Sequence, residues 1–559
     1  MDRIHGKTTG LKAGQIKLLQ NLYRRRITGH EIITHELTRQ LSAISFEIQR
    51  QAAILITRRG DITHVVVGDN KRIWLPDIGR FRAGPGRLMG LRCIHTHLHD
   101  EPLSDEDIAD LVLLGLDLMV CIQVDENGIP GPISYAHILP PNSKKQGWQV
   151  SHVPDIGQVN ADFKGLIHSI EDEIARTNRQ KSLINKERAI LVGVTDGAAR
   201  DAWESLDELK ALAVSNNLEV VDMVVQRIKQ ANPKFLIGKG RLTELVLRCL
   251  QTGSNLLIFD NELTPTQVRS LTDYTELKII DRSQLILDIF ANRAVTREGK
   301  IQVELAQLKY LLPRLATKNT AMSRLTGGIG GRGPGETKLE INRRRARERI
   351  ARLNRDLVKI QKQRQERRRL RNLKGLPIVS IVGYTNAGKS TLLNALTHSH
   401  VGAGSRLFET LDPSSRRLRF PREREAIITD TVGFIRNLPE SLMEAFASTL
   451  EELRDADLLL HVVDVSSLRM EEEMAAVEKV LGHLELKKIP VLSVFNKMDL
   501  VADSDGAALS KASQGVLISA IDKTTFQPLL LRIEEFLWSQ RDMTMNESIP
   551  IHGLPCPDR

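Results

Sequence analysis

A loop with the residue types and spacing needed to hold phosphate lies between a predicted strand, residues 378–382, and a predicted helix, residues 391–396. Its pattern, G-x-x-x-x-G-K-S, is that of the P-loop. Glycines let successive backbone N–H groups curl around a β-phosphate, and the helix N-terminus adds a favourable dipole. The lysine supplies positive charge to the β- and γ-phosphates, and the serine hydroxyl is placed to ligate Mg²⁺. The candidate nucleotide-binding residues are Gly383, Tyr384, Thr385, Asn386, Ala387, Gly388, Lys389 and Ser390.

Three further polar motifs each follow a short apolar run, and each predicts a loop at the carboxyl end of a strand, where open α/β sheets bind ligands. Asp430 is expected to reach Mg²⁺ through a water molecule. Asp499 can accept hydrogen bonds from both N1–H and N2–H of guanine, a donor pair that adenine lacks. The motifs are Asp430, Thr431, Val432 and Gly433; then Asn496, Lys497, Met498 and Asp499; then Ser519 and Ala520. Their order predicts a GTPase (G) domain with a mainly parallel sheet over residues 375–541.

The amino-acid composition indicates the kind of partner and the cellular compartment. The chain has 559 residues, 41% of them apolar, and a formal net charge of +10, which favours an anionic partner. Four scattered cysteines (Cys93, Cys121, Cys249 and Cys556) form no dense framework, which indicates a reducing cytoplasm. No secretion signal and no apolar run near the roughly 18 residues of a membrane span is found. We therefore expect a cytoplasmic protein without a membrane span, and a monomer.

The amino-terminal region, residues 1–186, has two histidines one residue apart at the end of a predicted strand. A hairpin is predicted from residues 52–57 and 62–67, and another strand from residues 118–122. His95-Thr-His97, followed by Ser104-x-x-Asp107, resembles the zinc site of the JAMM (MPN) metalloproteases over residues 45–140. The resemblance implies an α+β domain in which His95, His97 and Asp107 bind Zn²⁺ and leave one position open for water.

This region also departs from the JAMM pattern. Nine residues separate His97 from Asp107, one fewer than in that family, and the catalytic Glu has no clear counterpart. We therefore expect a remnant of the JAMM fold that binds zinc weakly and cleaves nothing. Ser104 and Asp107 are also typical of a helix start with a capping box. Residues 145–187 are polar and pattern-poor, which predicts a linker.

Strands alternating with helices over residues 187–300 predict a small α/β domain with a parallel sheet. The predicted strands are residues 189–194, 220–225 and 255–259, and the predicted helices are residues 204–213 and 242–250. Gly238-Lys239-Gly240 precedes the second helix. This stretch could bind an anion at the helix N-terminus or simply form a tight turn.

Residues 301–374 predict a basic helical hairpin. Apolar side chains recur at three- and four-residue steps in two segments, and a glycine-rich loop containing Arg332 joins them. The second segment, residues 338–374, holds sixteen Lys or Arg against four Asp or Glu, a net charge of +12. A solvated face is one explanation, but phosphate binding with counterion release is the better one. The 4% aromatic content argues against base stacking, so contacts with the backbone of structured RNA fit better.

Several motifs together resemble the HflX family of translation-associated GTPases over about residues 189–540. The family implies a nucleotide-binding-like domain, a helical hairpin and a G domain. It also implies binding of GTP and GDP, association with the large ribosomal subunit and its rRNA, and splitting of stalled ribosomes. The motifs are GGIGGRGPGET at residues 327–337, GYTNAGKS at 383–390, FETLD at 408–412 and DTVGFIR at 430–436.

By the same resemblance, switch I is expected at Phe408, Glu409, Thr410, Leu411 and Asp412, with Thr410 as a second Mg²⁺ ligand. The predicted catalytic residues are Lys389, Thr410 and Gly433. Ras-like proteins place a water-orienting Gln where this chain has Phe434, so slow intrinsic hydrolysis, completed by the ribosome or a cation, is expected. Asn386 matches the Asn of potassium-activated GTPases, which suggests K⁺; a neutral polar filler is the alternative.

Two other functions stay open from the sequence. A nucleotide-regulated RNA remodeller or hydrolase would place its chemistry in residues 1–186 and use the G domain for timing. A membrane-surface GTPase would use the basic helix on anionic lipid, but no amphipathic anchor or lipidation motif accompanies that helix. Residues 542–559 are predicted to form a tail.

Overall fold

The computed structural model forms two compact units, residues 1–281 and 282–559. It describes residues 3–76, 87–98, 101–140, 142, 146–159, 162–181, 186–275, 277–315, 338–372, 376–397, 414–420, 424–431, 433–435, 451–467, 469–486, 488–501 and 515–546. The mixed α/β architecture agrees with the predicted fold class.

A seven-stranded sheet with the order β1-β3-β2-β4-β5-β6-β7 forms the centre of the amino-terminal region. Most neighbouring strands are antiparallel, but β1 pairs with β3 and β4 pairs with β5 in parallel. The predicted hairpin is confirmed with the same bounds, as β2 and β3. The strands are β1 Ile4–Gly6, β2 Ala52–Thr57, β3 Ile62–Val67, β4 Leu91–His97, β5 Leu118–Val124, β6 Pro130–Ile138 and β7 Trp148–Val153.

Alternation along β4 sends neighbouring side chains to opposite faces of this sheet. Thr96 donates a 2.7 Å hydrogen bond to Ser45 in α2, whereas His95 and His97 lie near Asp107 in α3. Helix α3 begins with a capping box between Ser104 and Asp107, as predicted. The helices are α1 Ala13–Asn21, α2 His35–Ile48, α3 Asp105–Leu113 and α4 Phe163–Lys181.

The predicted linker at residues 145–187 is wrong for most of its length. Residues 148–153 form β7, which pairs with β6, and residues 163–181 form α4. Phe163, Ile167 and Ile174 of α4 are buried in the amino-terminal core. Four of the six β7 residues are exposed and the other two are half-exposed, so this edge strand lacks the apolar pattern that identifies a buried one.

A four-stranded parallel sheet with the order β11-β10-β8-β9 follows in the same unit. β8 and β10 are buried along nearly their whole length, as expected for strands covered on both faces. The elements are β8 Arg188–Thr195, α5 Ala199–Ser215, β9 Glu219–Arg227, α6 Lys239–Thr252, β10 Leu256–Phe259, α7 Pro265–Thr275 and β11 Lys278–Asp281.

Helix α6 joins the cores of the two sheets in this unit. Leu242, Leu245 and Cys249 pack in the core of the parallel sheet, whereas Val246 and Leu247 pack in the amino-terminal core. Because one helix serves both cores, the predicted boundary at residues 186/187 falls inside a compact unit.

The second unit begins with α8 Arg282–Arg293, α9 Arg297–Leu315 and α10 Lys338–Asn372. Ile301, Leu305 and Leu353 are buried where α9 and α10 pack together. Leu308, Ile350, Leu357 and Ile360 line the same contact, so the apolar repeats do pair as predicted. The Arg349 guanidinium donates to both carboxylate oxygens of Glu304, at 2.7 and 2.8 Å, at the margin of this contact.

The G domain has a six-stranded sheet with the order β13-β14-β12-β15-β16-β17, parallel except for β13. Its elements are β12 Ile378–Gly383, α11 Lys389–Thr397, β13 Ser414–Arg419, β14 Glu425–Asp430, β15 Leu458–Asp464, α12 Met470–His483, β16 Val491–Asn496, β17 Val516–Leu517 and α13 Phe526–Asn546. Within the described residues, no helix has both the length and the apolar character to cross a membrane.

Candidate functional site

The P-loop connects β12 to α11 through a tight backbone turn. Gly383 and Gly388 have φ values of +152° and +92°. A Cβ at Gly383 would collide with the Val462 carbonyl, and one at Gly388 with the Asn496 amide. Asn386 also has a positive φ, +64°, a conformation that Asn tolerates better than most residues. The loop therefore depends on glycine at two positions for close backbone approach.

Lys389, the first residue of α11, turns its ammonium group back into the loop. Its Nζ donates a 2.7 Å hydrogen bond to the Tyr384 carbonyl. Burial lowers the pKa of Lys389 to about 8, with the Asp430 carboxylate acting in the opposite direction. A Cβ at Gly433 would lie 2.8 Å from this Nζ and 3.1 Å from the Thr385 Cα, so glycine gives the Asp430–Gly433 motif room beside the P-loop.

Ser390 and Asp430, predicted to serve one metal ion, meet directly. The Ser390 hydroxyl donates to Asp430 Oδ2 at 2.7 Å. Thr431 N–H donates to Asp430 Oδ1 at 3.0 Å, and the Thr431 hydroxyl donates to the Ile381 carbonyl at 2.6 Å. The hydroxyl and the carboxylate therefore present oxygen atoms side by side, the donor set that Mg²⁺ prefers.

The side chain of Asn496 connects its own motif to two other predicted motifs by hydrogen bonds. Its Nδ2 donates to the Ala387 carbonyl of the P-loop at 2.8 Å. Its Oδ1 accepts from Ala520 N–H, also at 2.8 Å. The P-loop, the Asn496–Asp499 motif and the Ser519-Ala520 loop are thus joined by one buried amide.

Asp499 is oriented by Ser519, whose hydroxyl donates to Asp499 Oδ1 at 2.5 Å. Met498 N–H donates to the Ile518 carbonyl at 3.2 Å, which holds the two loops together. Lys497 has a positive φ of +66°, and its Nζ donates to Asp464 Oδ2 at 2.5 Å. The Asp499 carboxylate is therefore held in one orientation, as recognition of the edge of a base requires.

Phe434 is 2% exposed, and its backbone is hydrogen-bonded to the P-loop. Thr385 N–H donates to the Phe434 carbonyl at 2.7 Å, and Phe434 N–H donates to the Gly383 carbonyl at 3.1 Å. The side chain at the position of the Ras-like Gln is thus apolar and buried, which is consistent with the expected absence of water orientation by this residue.

Two polar residues of β15 contribute to this site and were not predicted from the sequence. Asp464 binds Lys497, as described above. His461 lies in the register position beside Val382, and burial followed by the charge of Lys389 lowers its pKa to about 4. A neutral His461 therefore lies beside the start of the P-loop. The sequence feature that could have identified His461 is its position inside an otherwise apolar predicted strand.

Some predicted residues lie outside the described part of the chain. These are Phe408, Glu409, Thr410, Leu411, Asp412, Val432 and the glycine-rich loop at residues 327–337 with Arg332. The other predicted nucleotide-binding residues lie at one edge of the sheet, at the carboxyl ends of β12, β14, β16 and β17.

The amino-terminal unit contains a second group of candidate ligands. His95 Nε2 lies 3.1 Å from His97 Nε2 and 3.3 Å from Asp107 Oδ1. His97 Nε2 lies 3.5 Å from Asp107 Oδ2. The three residues predicted as zinc ligands are therefore brought together. Asp107 also caps α3, so the two roles considered for it are compatible.

Cys121 belongs to the same group, although the sequence did not identify it. It lies beside His95 in the parallel register of β4 and β5, and its thiol lies within 4.8 Å of a ring nitrogen of each histidine. Burial opposes ionisation of the Cys121 thiol, but His95 and His97 lower its pKa. Burial likewise opposes protonation of His95, whereas Asp107 raises its pKa well above the usual value. The proximity of Cys121 to His95 follows from the register of β4 and β5, which the sequence does not show.

Helix α10 presents much of its positive charge to solvent. Arg345 and Arg347 are exposed, and the Arg344 side chain is 57% exposed beside Glu348 at 3.7 Å. Arg343 is partly buried. The apolar contact with α9 uses the other side of the helix, which leaves this basic surface accessible.

Three family profiles match consecutive parts of the chain. They are described as GTP-binding GTPase N-terminal (residues 203–291), GTP-binding GTPase Middle Region (residues 293–371) and 50S ribosome-binding GTPase (residues 378–497). A solved GTP-binding protein from Sulfolobus solfataricus, in complex with GDP, is 25% identical, with 63% of this chain and 98% of that chain covered. Its TM-score of 0.36 is too low to add to the assignment.

Two curated relatives named GTPase HflX are similar over most of their length. The Caldanaerobacter subterraneus protein is 48% identical over 359 residues, which cover 64% of this chain and 82% of the relative. The Escherichia coli protein is 45% identical over 317 residues, which cover 57% of this chain and 74% of the relative. This similarity, together with the P-loop and the loops that surround it, identifies the chain as a GTP-hydrolysing member of the HflX family of GTPases.

Proposed function

We propose that this GTPase binds the large ribosomal subunit and uses GTP binding and hydrolysis to split or rescue stalled ribosomes. The observation that carries the proposal is the match of residues 378–497 to a family described as 50S ribosome-binding GTPase. The relatives' name supports the same conclusion. Ribosomes are the cytoplasmic particles on which such an activity would operate, so the proposed site of action is the cytoplasm. We propose a monomer as the acting form.

Helix α10 is the proposed RNA-binding element. It has 35 residues, and an α-helix of that length extends about 50 Å at roughly 1.5 Å per residue. The net charge of +12 on residues 338–374 exceeds the +10 of the whole chain. A long cationic rod can neutralise several phosphates along a folded RNA, and release of the condensed counterions makes such binding favourable.

The guanine nucleotide is proposed to lie along the edge of the sheet where the motifs meet. The P-loop amides and Lys389 would hold the β- and γ-phosphates, and Asp499 would bind the guanine. Ser390, with Thr410, would hold Mg²⁺ directly and Asp430 through water, and the ion would neutralise charge developing on the phosphates. The 2.7 Å contact between Ser390 and Asp430 supports this assignment. Gly433 would allow the γ-phosphate to approach the lysine.

A monovalent cation is proposed to assist hydrolysis beside Asn386. The side chain of Phe434 has no group that could orient water, so another source of transition-state stabilisation is needed. Potassium near the bridge between the β- and γ-phosphates would offset the charge that develops there. The left-handed backbone at Asn386 offers a competing reason for Asn at this position.

Sedimentation with separated ribosomal particles tests the proposal. The full chain is mixed with large subunits, small subunits or intact ribosomes, in the presence of GDP or a non-hydrolysable GTP analogue. We expect GTP-state binding to large subunits and conversion of intact ribosomes to subunits. Stimulation of GTP hydrolysis by large subunits is the second measurement. Equal sedimentation with both subunits in both nucleotide states would refute the proposed ribosomal function.

A further inference from the structure

The cluster of His95, His97 and Cys121 on β4 and β5, with Asp107 of α3, has the side-chain types of a metal centre. We propose that His95, His97, Cys121 and Asp107 together bind one zinc ion in a closed, four-ligand structural site. This inference concerns residues 1–186, which precede all three matched family profiles, and it does not depend on the ribosomal role.

The distances between the donor atoms fit a common ion. Ligand atoms about 2.0–2.1 Å from a tetrahedral zinc lie about 3.3 Å from one another. The three contacts among His95 Nε2, His97 Nε2 and the Asp107 carboxylate are 3.1, 3.3 and 3.5 Å. The Cys121 sulfur and one nitrogen of each histidine lie within 4.8 Å of one another, so Cys121 shares both histidines with Asp107 and is the candidate for the fourth ligand.

Neighbouring groups orient two of the four ligands. His97 Nδ1 lies 3.0 Å from the Glu101 carbonyl; a carbonyl only accepts, so Nδ1 carries the proton. In the neutral ring, the Nε2 lone pair therefore points toward His95. Asp107 Oδ2 accepts from both the N–H and the hydroxyl of Ser104, each at 2.7 Å. Such outer contacts fix the tautomer of a histidine ligand and the orientation of a carboxylate ligand.

A hydrogen-bonded cluster without metal explains this arrangement less well. His95 Nε2 would have to serve both His97 Nε2, at 3.1 Å, and Asp107 Oδ1, at 3.3 Å. The two Nε2 atoms also face one another at 3.1 Å, which becomes repulsive when both rings are protonated. A metal ion accepts both lone pairs and balances the carboxylate and the thiolate.

The ligand types determine both the ion and its role. Thiolate and imidazole together favour zinc over Mg²⁺ or Ca²⁺, which prefer oxygen. With Cys121 as a fourth protein ligand, the position that a catalytic zinc site keeps open for water is filled. The site would therefore hold β4, β5 and α3 together rather than hydrolyse a substrate. This extends the predicted His95–His97–Asp107 site and gives a physical reason for an inactive one.

Cobalt substitution of the full-length protein tests the proposal. Purified protein is stripped with a chelator and titrated with Co²⁺, and zinc is then measured after exchange. We expect one equivalent of Co²⁺, with tetrahedral ligand-field bands and a thiolate-to-cobalt charge-transfer band that Zn²⁺ abolishes. The melting temperature of the amino-terminal unit should rise when zinc binds.

Two variants and a matched control complete the design. Cys121→Ser should lose the charge-transfer band, and Asp107→Asn should lose stoichiometric binding. Cys249→Ser replaces another buried cysteine, in α6 and outside the cluster, and should keep the stoichiometry and the charge-transfer band of the wild type. Circular dichroism of each variant verifies folding. Folded wild-type protein that binds no stoichiometric metal, or that shows no thiolate band, overturns the proposal even if a variant fails to fold.

Discussion

Single side chains in the G domain connect loops that are far apart in sequence. Asn496 reaches the P-loop carbonyl of Ala387 across 109 residues, and Ser519 binds Asp499 across 20. Each of these contacts holds a loop of the candidate nucleotide site in place. Substitutions at the ligand-facing residues should therefore affect binding or catalysis before they affect stability.

Guanine specificity is expected to depend on Asp499. Asp499→Asn removes a carboxylate that can accept two hydrogen bonds, and each bond to a charged group is worth about 1.5–3 kcal/mol. GTP affinity should fall by about tenfold or more, whereas xanthosine triphosphate, whose 2-oxo group can accept from the new amide, should bind better. Ser519→Ala, which removes only the orienting hydroxyl, should show a smaller loss. Equal GTP affinity in Asp499→Asn and wild type would contradict this role.

Lys389 and Ser390 are expected to serve the ligand more than the fold. Lys389→Ala removes the phosphate-binding charge, and Ser390→Asn replaces the proposed Mg²⁺-binding hydroxyl with a bulkier amide. Either change should lower GTP hydrolysis by about 10²-fold or more, the scale of losing one electrostatic contact in a transition state. Hydrolysis and thermal melting are measured on the same samples. Full activity in a well-folded variant would exclude the P-loop assignment.

Potassium is expected to stimulate hydrolysis more than sodium at equal ionic strength. A tenfold difference corresponds to roughly 1.4 kcal/mol of transition-state stabilisation. Asn386→Gly is the informative variant, because glycine keeps the left-handed backbone while removing the side-chain oxygen. If Asn386 helps to hold the cation, this variant loses the difference between the two ions. Equal rates in both salts for the wild type would reject the cation.

Among the elements, α10 shows how one helix divides its surface between two tasks. Leu353 is buried with Ile301 and Leu305 of α9, whereas the arginines nearby face solvent. The apolar stripe holds the helix in place, and the basic surface remains available for a partner. Charge changes on the exposed side should therefore alter binding without disrupting the hairpin.

Reversing Arg343, Arg344 and Arg345 to Glu should weaken binding to large ribosomal subunits. If each arginine neutralises one phosphate, the slope of log affinity against log salt becomes shallower by about 2–3. The control, Lys17→Glu with Arg24→Glu and Lys164→Glu, makes the same change in net charge at exposed positions of the amino-terminal unit. Binding is measured over a series of salt concentrations. A salt slope unchanged from the wild type would assign the arginines to a solvated face only.

At the scale of the whole molecule, the chain combines the HflX family's segments with an amino-terminal sheet that shares a helix with them. Within residues 1–281, α6 contributes Val246 and Leu247 to one core and Leu242 and Leu245 to the other. The two sheets of this unit are therefore expected to lose structure together.

Leu247→Ala tests this coupling. Truncating a buried leucine lowers the free energy of unfolding by about 2–5 kcal/mol. The destabilisation should reduce hydrogen-exchange protection in β4 and β5 of one sheet and in β8 and β10 of the other. Val214→Ala in α5 is the control, because Val214 is 55% exposed and its truncation should change little. Reduced protection in the amino-terminal sheet alone would show that the two sheets unfold independently.

The sequence by itself determined the features that depend on short stretches of chain. The spacing of Gly383, Gly388 and Lys389 predicted the P-loop, and the apolar runs before Asp430 and Asn496 predicted their strands. The hairpin of β2 and β3 was also predicted with its observed bounds. These features depend on backbone conformation and on side-chain periodicity, which neighbouring residues encode.

The tertiary structure alone decided which distant segments meet. Cys121 joins His95 because β4 and β5 pair in one register, and a shift of one residue would turn the thiol to the other face. Residues 148–153 and 163–181 belong to the amino-terminal fold, although their polar pattern predicted a linker, because β7 is an edge strand and α4 buries only one stripe. Strand register and helix packing are set by contacts between segments far apart in sequence, so local patterns do not specify them.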